Sequence, residues 1–388
     1  MVRTVRDGLR RTAEQDQFVE LARRFAAEEI RPRARAVDEA DTESPLDLWE
    51  KASRLGLTTF MIPEEFGGGG ITDLTTQVLV QQELCHGDIG IGNLLTSNGF
   101  FSAPIDHLGT PEQQKRFLGP LGTDLPPVTA VAVTEPGAGS DAASIRTSAR
   151  RDGDSYVLNG QKTWISNAPY AAMFVIFATV DPSLRSRGVT AFVVPRDTPG
   201  LTVGPPFRKM GQRAIVNAEV FLDDVRVPAE NRLGEEGQAF SGLMRTFDAS
   251  RILIGAACTG LARAALDFAS AYAAERVQFG VPILRHQAVA FRLAEMATRV
   301  DTAHLLTLRA AALHDAGEAV AQESAMAKLV GSENAMWCTH AAVQTLGGYG
   351  YSREYPVERW MRDAKLEEIE EGTSDIQRLI ISRGLGAR

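Results

Sequence analysis

The stretch "DLPPVTAVAVTEPGAGSD", residues 124–141, is where the character of the chain changes. Upstream, apolar residues recur every three or four positions. From here on they sit in short β-rich segments punctuated by Gly, Pro and Asp. Pro126 and Pro127 favour the break, because neither has a backbone N–H to give and each biases its predecessor toward extended backbone. The stretch separates a helical part from a sheet part.

Working back from it, residues 12–125 read as helical. Phe18, Leu21, Ala22 and Phe25 form one apolar stripe that Pro32 is expected to stop, and "SPLDLWEKASRLG" opens on a Ser-Pro cap signal and closes at Gly56. Gly67 to Gly70 make a pliable loop. Working forward, "VTAVAVTE", "SYVLNGQKTWIS", "AMFVIFATV", "VTAFVV", "LTVG" and "AEVFLDDVRV" read as strands, and Asn159-Gly160 as a hairpin turn. From about residue 236 three long Ala- and Leu-rich helices return, ending at Gly280, Gly317 and Gly347-Gly348. The expected division is α+β: residues 1–126 helical, 127–235 sheet, 236–388 a helical bundle.

Composition bounds the function. With 44% apolar and 23% charged residues over 388 positions, the chain has ordinary globular character. A formal net charge of −8 lacks the basic excess that neutralising nucleic-acid phosphates requires. Cys85, Cys258 and Cys338, scattered and odd in number, fit thiols in a reducing compartment, with the cytoplasm expected. The Arg-rich start "MVRTVRDGLRR" lacks an apolar signal core and reads as a solvated arm, and no apolar run of membrane-spanning length is evident.

Several chemistries lack their signatures. "EPGAGSDA" has no third glycine at dinucleotide-fingerprint spacing and precedes sheet rather than helix, so "TEPGAGSD" is either a ring or phosphate cradle or a plain turn. The six histidines have no metal-ligand spacing, and no G-x-S-x-G elbow marks a serine nucleophile. What remains is "EEIEEGTSD", residues 367–375. Glu367 and Glu368 read as a hydrated face. Glu370 and Glu371 precede Gly372 and a helix start, with Ser374 and Gln377 at capping-box spacing, where a carboxylate can be aimed into a cavity as a base.

Three segments in order, "VAVTEPGAGSD", "LNGQKTWISN" and "YPVERWMRDAKLEEIEEGTSDIQRLI", resemble the FAD-dependent acyl-CoA dehydrogenases. "KMGQRA", "FLDDVRVP", "FDASRILIGAACTGLARAALDFASAYAAERVQFG", "HQA" and "VQTLGGYGYSREYP" extend the similarity over nearly the whole chain. The resemblance implies an all-α N-terminal domain, a central β-barrel domain and a C-terminal four-helix bundle, assembled as a homotetramer. It places Val133, Thr134 and Ser140 along the flavin, Ser140 also near the thioester, and Trp164, Ile165 and Ser166 against the isoalloxazine. Arg276, Gln278, Phe279 and Gln287, with Gln344, Gly347 and Gly348, fall on segments that reach a neighbouring subunit's FAD, and Thr373 and Asp375 lie on its adenosine side. Asp248, Arg251 and Gly372 match substrate-contacting positions.

By the same resemblance Glu371 is the base. It takes the α-proton of an acyl thioester, of CoA or an acyl-carrier protein, while the β-hydride passes to flavin N5 and the electrons go on to an electron-transferring flavoprotein. Its backbone N–H and a ribityl hydroxyl hold the thioester oxygen. Exclusion of water should raise the glutamate toward neutrality. Relatives with the base on another helix place it near "FDASR", where this chain offers only Asp248. Glu370 stands where many relatives carry Tyr and is expected to face solvent, Asp375 replaces a longer side chain, and Phe100 and Phe101 are either a pocket end or core. Two other readings stay open: a flavin oxidase or monooxygenase, marked by peroxide formed in step with substrate, and a non-catalytic thioester-binding protein, which would purify colourless.

Overall fold

The computed structural model describes residues 11–386, so the arm expected of residues 1–10 lies outside the described residues. Six helices come first: α1 (Ala13–Phe25), α2 (Arg31–Ala40), α3 (Leu46–Ser53), α4 (Leu74–Gly87), α5 (Ile89–Leu108) and α6 (Pro111–Leu118). Thr12 caps α1 through a reciprocal pair with Gln15. Pro32 does not stop the helix. A π-helical turn over Ala26–Ile30 carries α1 into α2 with Pro32 in its first turn, where the missing N–H is tolerated. α3 starts directly after Pro45 without a side-chain cap.

The sheet consists of β1 (Thr129–Ala132), β2 (Ser148–Asp152), β3 (Ser155–Ser166), β4 (Met173–Thr179), β5 (Val189–Pro195), β6 (Leu201–Val203), β7 (Asn217–Pro228) and β8 (Arg232–Leu233). Its strand order is β6-β7-β3-β2-β4-β5-β8, with β1 parallel to β4 at one side. The expected hairpin at Asn159-Gly160 is absent: β3 runs through it, and β2 returns into β3 over Gly153-Asp154 instead. Asn159-Gly160 occupies a bulge against β7, and a side chain at residue 160 would meet Thr147 Oγ1 at 2.6 Å. β4 is buried on both faces. Phe174 and Ile176 join Tyr156, Leu158, Phe192, Val194 and Val220 in the sheet's own core, while Val175 and Phe177 pack with Ile105, Phe117 and Leu243 from the helices. That is why "MFVIFAT" reads as a continuous apolar run rather than an alternating one.

The C-terminal part is α7 (Ala239–Glu275), a small hairpin of β9 (Val277–Gln278) and β10 (Val281–Pro282), then α8 (Gln287–Asp315), α9 (Ala321–Leu346), α10 (Val357–Glu367) and α11 (Ser374–Gly384). By length and composition α7 could cross a membrane, but 78% of its apolar window is buried inside the fold, the signature of a core helix. α7, α8 and α9 pack on one another, α10 and α11 lean on α9, and α4 lies along α7, so the N-terminal helices and the bundle share core residues such as Leu79, Ile252 and Ala256. All three cysteines are buried as free thiols.

Candidate active site

The site is built around the break between α10 and α11. α10 ends at Glu367, and the Leu366 carbonyl accepts from the N–H groups of Ile369 and Glu370 at 2.8 and 3.0 Å, tightening the last turn. The chain then bends through left-handed backbone at Glu371, φ 47°, and Gly372, φ 99°. Glycine adopts this freely; for a glutamate it costs about 1–3 kcal/mol and persists only where the surroundings hold it. They do. Arg251 Nε and Gln377 Nε2 each donate to the Glu371 carbonyl at 3.3 Å, and Lys328 Nζ and Gln377 Nε2 donate to the Gly372 carbonyl at 3.0 and 2.8 Å. Thr373, not Ser374, caps α11 by accepting from Ile376 N, and Gln377 spends its amide on the turn rather than on a capping box.

The Glu371 carboxyl is enclosed between α7 and this turn and accepts a hydrogen bond from Ser250 Oγ. Burial pushes it up to about 7, with the Glu370 charge adding to the rise and Ser250, Arg251 and Lys328 opposing it. One turn of α7 carries the rest of this wall. Asp248 lies 3.5 Å from Arg251, whose guanidinium stands 5.3 Å from the centre of the Phe247 ring. Phe247 stacks on Phe100 at 6.2 Å, whereas Phe101 is fully buried in the core.

Two expectations about the acidic run are corrected. Glu367 is fully buried, not hydrated; its Oε1 accepts from Gln212 Nε2 at 2.5 Å and Asn93 Nδ2 at 3.4 Å. Glu370 is partly buried rather than solvent-facing: its carboxyl lies against Glu367, near Lys328 and Lys209. Glu368 keeps its surface character and pairs with Lys365 at 2.6 Å.

The candidate flavin face is made by β3 and the segment that follows β1. Thr163 N donates to the Thr134 carbonyl at 2.9 Å, and the buried Lys162 Nζ donates to the Val133 carbonyl at 2.9 Å and to Glu135 Oε1 at 2.8 Å. Glu135 also accepts from the backbone N–H groups of Arg146 and Thr147. Trp164 stands 57% exposed on left-handed backbone, φ 60°, its ring 4.6 Å from that of Phe207. Ser166 shares its outward side. Ile165 does not: it is 2% exposed and turned into the sheet core, so only its backbone is available to a ring on the Trp164 side. "TEPGAGSD" forms a tight turn closed by Glu135 N to Ala138 O at 3.0 Å, with Ser140 exposed beyond it.

The loop over residues 208–216 ties this face to the base turn. Lys209 Nζ donates to Asn217 Oδ1 at 2.6 Å, and Asn217 Nδ2 donates to the Trp164 carbonyl and to Ser166 Oγ, both at 3.1 Å. Lys209, Gln212, Ser250 and Lys328 carry no role in the sequence reading, and Gln377 enters it only as a capping residue. "KMGQRA" holds the first two and "FDASR" holds Ser250, so those segments carried a signal; Lys328 had none.

The remaining expected cofactor residues gather elsewhere. Arg276 lies over the Tyr349 ring at 5.5 Å, Gln278 and the 94% exposed Phe279 sit in the β9–β10 hairpin, Gln287 opens α8, and Gln344, Gly347 and Gly348 close α9, all exposed. At 1.5 Å per residue this end lies about 38 Å along α7 from Ser250 and about 24 Å along α9 from Lys328. A single chain thus presents two separate groups, one near Glu371 and one at the far end of the bundle; Thr373 and Asp375, at the start of α11, belong with the first. The residues fit a flavin dinucleotide: an exposed indole for a planar ring, and open space where side chains would project at Gly137, Gly139, Gly347 and Gly348.

Comparison with known proteins agrees along the length of the chain. Family models for the acyl-CoA dehydrogenase N-terminal, middle and C-terminal domains match residues 12–124, 130–225 and 237–386. A probable acyl-CoA dehydrogenase, YngJ, of Bacillus subtilis is 43% identical over 96% of this chain and 98% of its own. The mitochondrial short-chain specific acyl-CoA dehydrogenase of Bos taurus is 43% identical over 93% of this chain and 87% of its own. Butyryl-CoA dehydrogenase from Megasphaera elsdenii superposes with a TM-score of 0.94 at 37% identity, covering 98% and 100% of the two chains. Helices, sheet and bundle, in that order and matched domain by domain, make this chain a member of the acyl-CoA dehydrogenase family of flavoprotein oxidoreductases.

Proposed function

We propose that the protein is an FAD-dependent dehydrogenase of short acyl-CoA thioesters, with Glu371 removing the α-proton to give the trans-2-enoyl product. The observation that carries this is the Glu371 carboxyl, raised to about 7 by burial and fixed on a left-handed turn clamped by Arg251, Lys328 and Gln377. A carboxylate near its ordinary value is a weak base at neutral pH; one raised to about 7 matches the task better while remaining partly ionised. Ser250 holds the carboxylate oxygen, and Arg251, Lys328 and Gln377 hold the turn, so the base does not rely on its own rotamer for aim. Bound FAD supplies the acceptor for the β-hydride.

Val133, Thr134, Ser140, Trp164, Ile165 through its backbone, Ser166, Thr373 and Asp375 are proposed to contact the flavin dinucleotide of their own site. Arg276, Gln278, Phe279, Gln287, Gln344, Gly347 and Gly348 are proposed to reach that of a neighbouring copy in a homotetramer. Supporting that assembly, Phe279, Phe291, Tyr351 and Val277 leave large apolar side chains exposed at this end of the bundle. Asp248, Arg251, Ser140 and Gly372 are proposed to face the thioester. The Phe100–Phe247 stack, one turn from Ser250, favours a short acyl group, consistent with the butyryl- and short-chain-specific names of the relatives. An electron-transferring flavoprotein is the proposed acceptor. The test is Glu371→Gln: the holoenzyme should stay yellow and bind butyryl-CoA but no longer bleach under anaerobic conditions. Bleaching at the wild-type rate overturns the assignment.

A further inference from the structure

Behind Glu371 lies a second acidic group that proton abstraction does not use. Glu367 closes α10 and Glu370 lies three residues on, in the turn that continues it, where residues three apart lie on one face. They lie within hydrogen-bond reach of each other, Glu367 fully buried and Glu370 partly buried beside it. Two ionised carboxylates do not settle at that distance, because each is only an acceptor; one of them must carry a proton. The contacts say which one. Glu367 Oε1 is occupied by the Gln212 and Asn93 amides, while its Oε2 is buried and meets no protein donor among the described residues. That oxygen is the place for a proton. Glu370 is also raised by burial, but the Glu367 bond and two cations, Lys328 from α9 and Lys209 from the 208–216 loop, hold it down, the setting of the ionised partner.

We propose that Glu367 and Glu370 work as one acid–carboxylate pair, Glu367 holding the proton and donating it to Glu370, so that a single fixed negative charge stands beside Glu371. The other groups facing the pair fit this arrangement. Cys258 on α7 and Cys85 on α4 are buried thiols pushed up by burial and stay neutral. Asp363, one turn back on α10, accepts from Gln212 N at 2.5 Å and is raised to about 7 by burial and then by the Asp88 charge, with the Gln212 bond and Arg359 opposing the rise. Glu367 is itself held well above the carboxylate range, by burial and then by the Glu370 charge. Glu370 raises Glu371, so the pair acts on the base through its field and is a positioning and tuning device rather than a catalytic group. Gln212 and Lys209 come from one loop, which joins the pair to Asn217 and so to the Trp164 backbone.

The inference rests on Glu371 as the base only where it concerns rate, and two measurements separate the parts. Infrared difference spectra of the holoenzyme at pH 8, wild type minus Glu367→Gln, should show a carboxylic-acid C=O band lost in the variant; no such band means Glu367 is ionised and overturns the pair whatever the base is. The pH dependence of anaerobic bleaching by butyryl-CoA then reads the field. Glu370→Gln removes the charge and should move the acid limb down by about one pH unit. Glu367→Gln replaces an acid donor by an amide donor, so its limb should stay within a few tenths of a unit of wild type. An unmoved limb in Glu370→Gln, or an equal shift in Glu367→Gln, overturns the proposal. If Glu371→Gln bleaches normally, the base assignment fails while the infrared result still decides the pair.

Discussion

Ser250 Oγ donates its hydrogen bond to the carboxylate of Glu371, joining the long helix α7 to the turn that separates α10 from α11. The bond favours the ionised form and holds down a carboxyl that burial drives upward. Ser250→Ala should therefore raise Glu371 further, moving the acid limb of the bleaching rate to higher pH by about half a unit to one unit. Stopped-flow bleaching between pH 5.5 and 8.5 measures it; a limb moving downward would contradict the bond's role.

Asp363 gives a stability prediction. Its folded-state value is raised from 3.8 to about 7, so between these values the folded chain binds more protons than the unfolded one, and stability must fall as pH rises through that window. One such group contributes a slope of up to about 1.4 kcal/mol per pH unit. Asp363→Asn keeps an acceptor for Gln212 N and cannot ionise, so it should flatten the decline from pH 5 to 7. Urea midpoints at four pH values test this.

Lys162 and Glu135 form a fully enclosed pair beneath the candidate flavin face, 0% and 8% exposed. Lys162→Met leaves Glu135 charged and buried with only two backbone donors, a loss of about 3–5 kcal/mol for breaking a pair of this kind. The Val133 carbonyl also loses its partner, so FAD should be retained less well. The melting temperature and the FAD absorbance per polypeptide after gel filtration report the two effects separately.

Phe100→Ala removes one ring of the stack on Phe247. Each additional methylene accommodated is worth about 1–3 kcal/mol, so kcat/KM for octanoyl-CoA relative to butyryl-CoA should rise at least tenfold. An unchanged ratio would place the end of the acyl pocket elsewhere.

The helical and sheet parts were legible because their signals are local. The stripe Phe18, Leu21, Ala22 and Phe25, the proline pair at 126–127 and the glycines closing α8 and α9 need no distant partner to be read. Misreadings arose where distant residues decide. Pro32 looked like a stop because a π-helical turn has no sequence signature, and Asn159-Gly160 looked like a hairpin because a bulge against β7 uses the same backbone freedom. Glu367 and Glu370 looked hydrated because the covering residues, Gln212, Lys209, Lys328 and Asn93, lie far away in sequence. One clue was present: Asp363, Glu367 and Glu370 recur at helical spacing, a single stripe rather than a ring of charge. The Gly372 bend marked Glu370 and Glu371 as places for a base, but the choice of Glu371 came only through resemblance, since nothing in "EEGTSD" reveals that Ser250 will meet it.

α7 carries Ser250 and Arg251 near its start and runs unbroken to Glu275, just before Arg276. An uninterrupted rod of that kind is a ruler. One residue inserted between the two ends would turn one against the other by about 100° and lengthen the span by about 1.5 Å, so no loop could absorb the error. Natural variation in this chain should therefore tolerate changes of side chain along α7 far more readily than any change in its count.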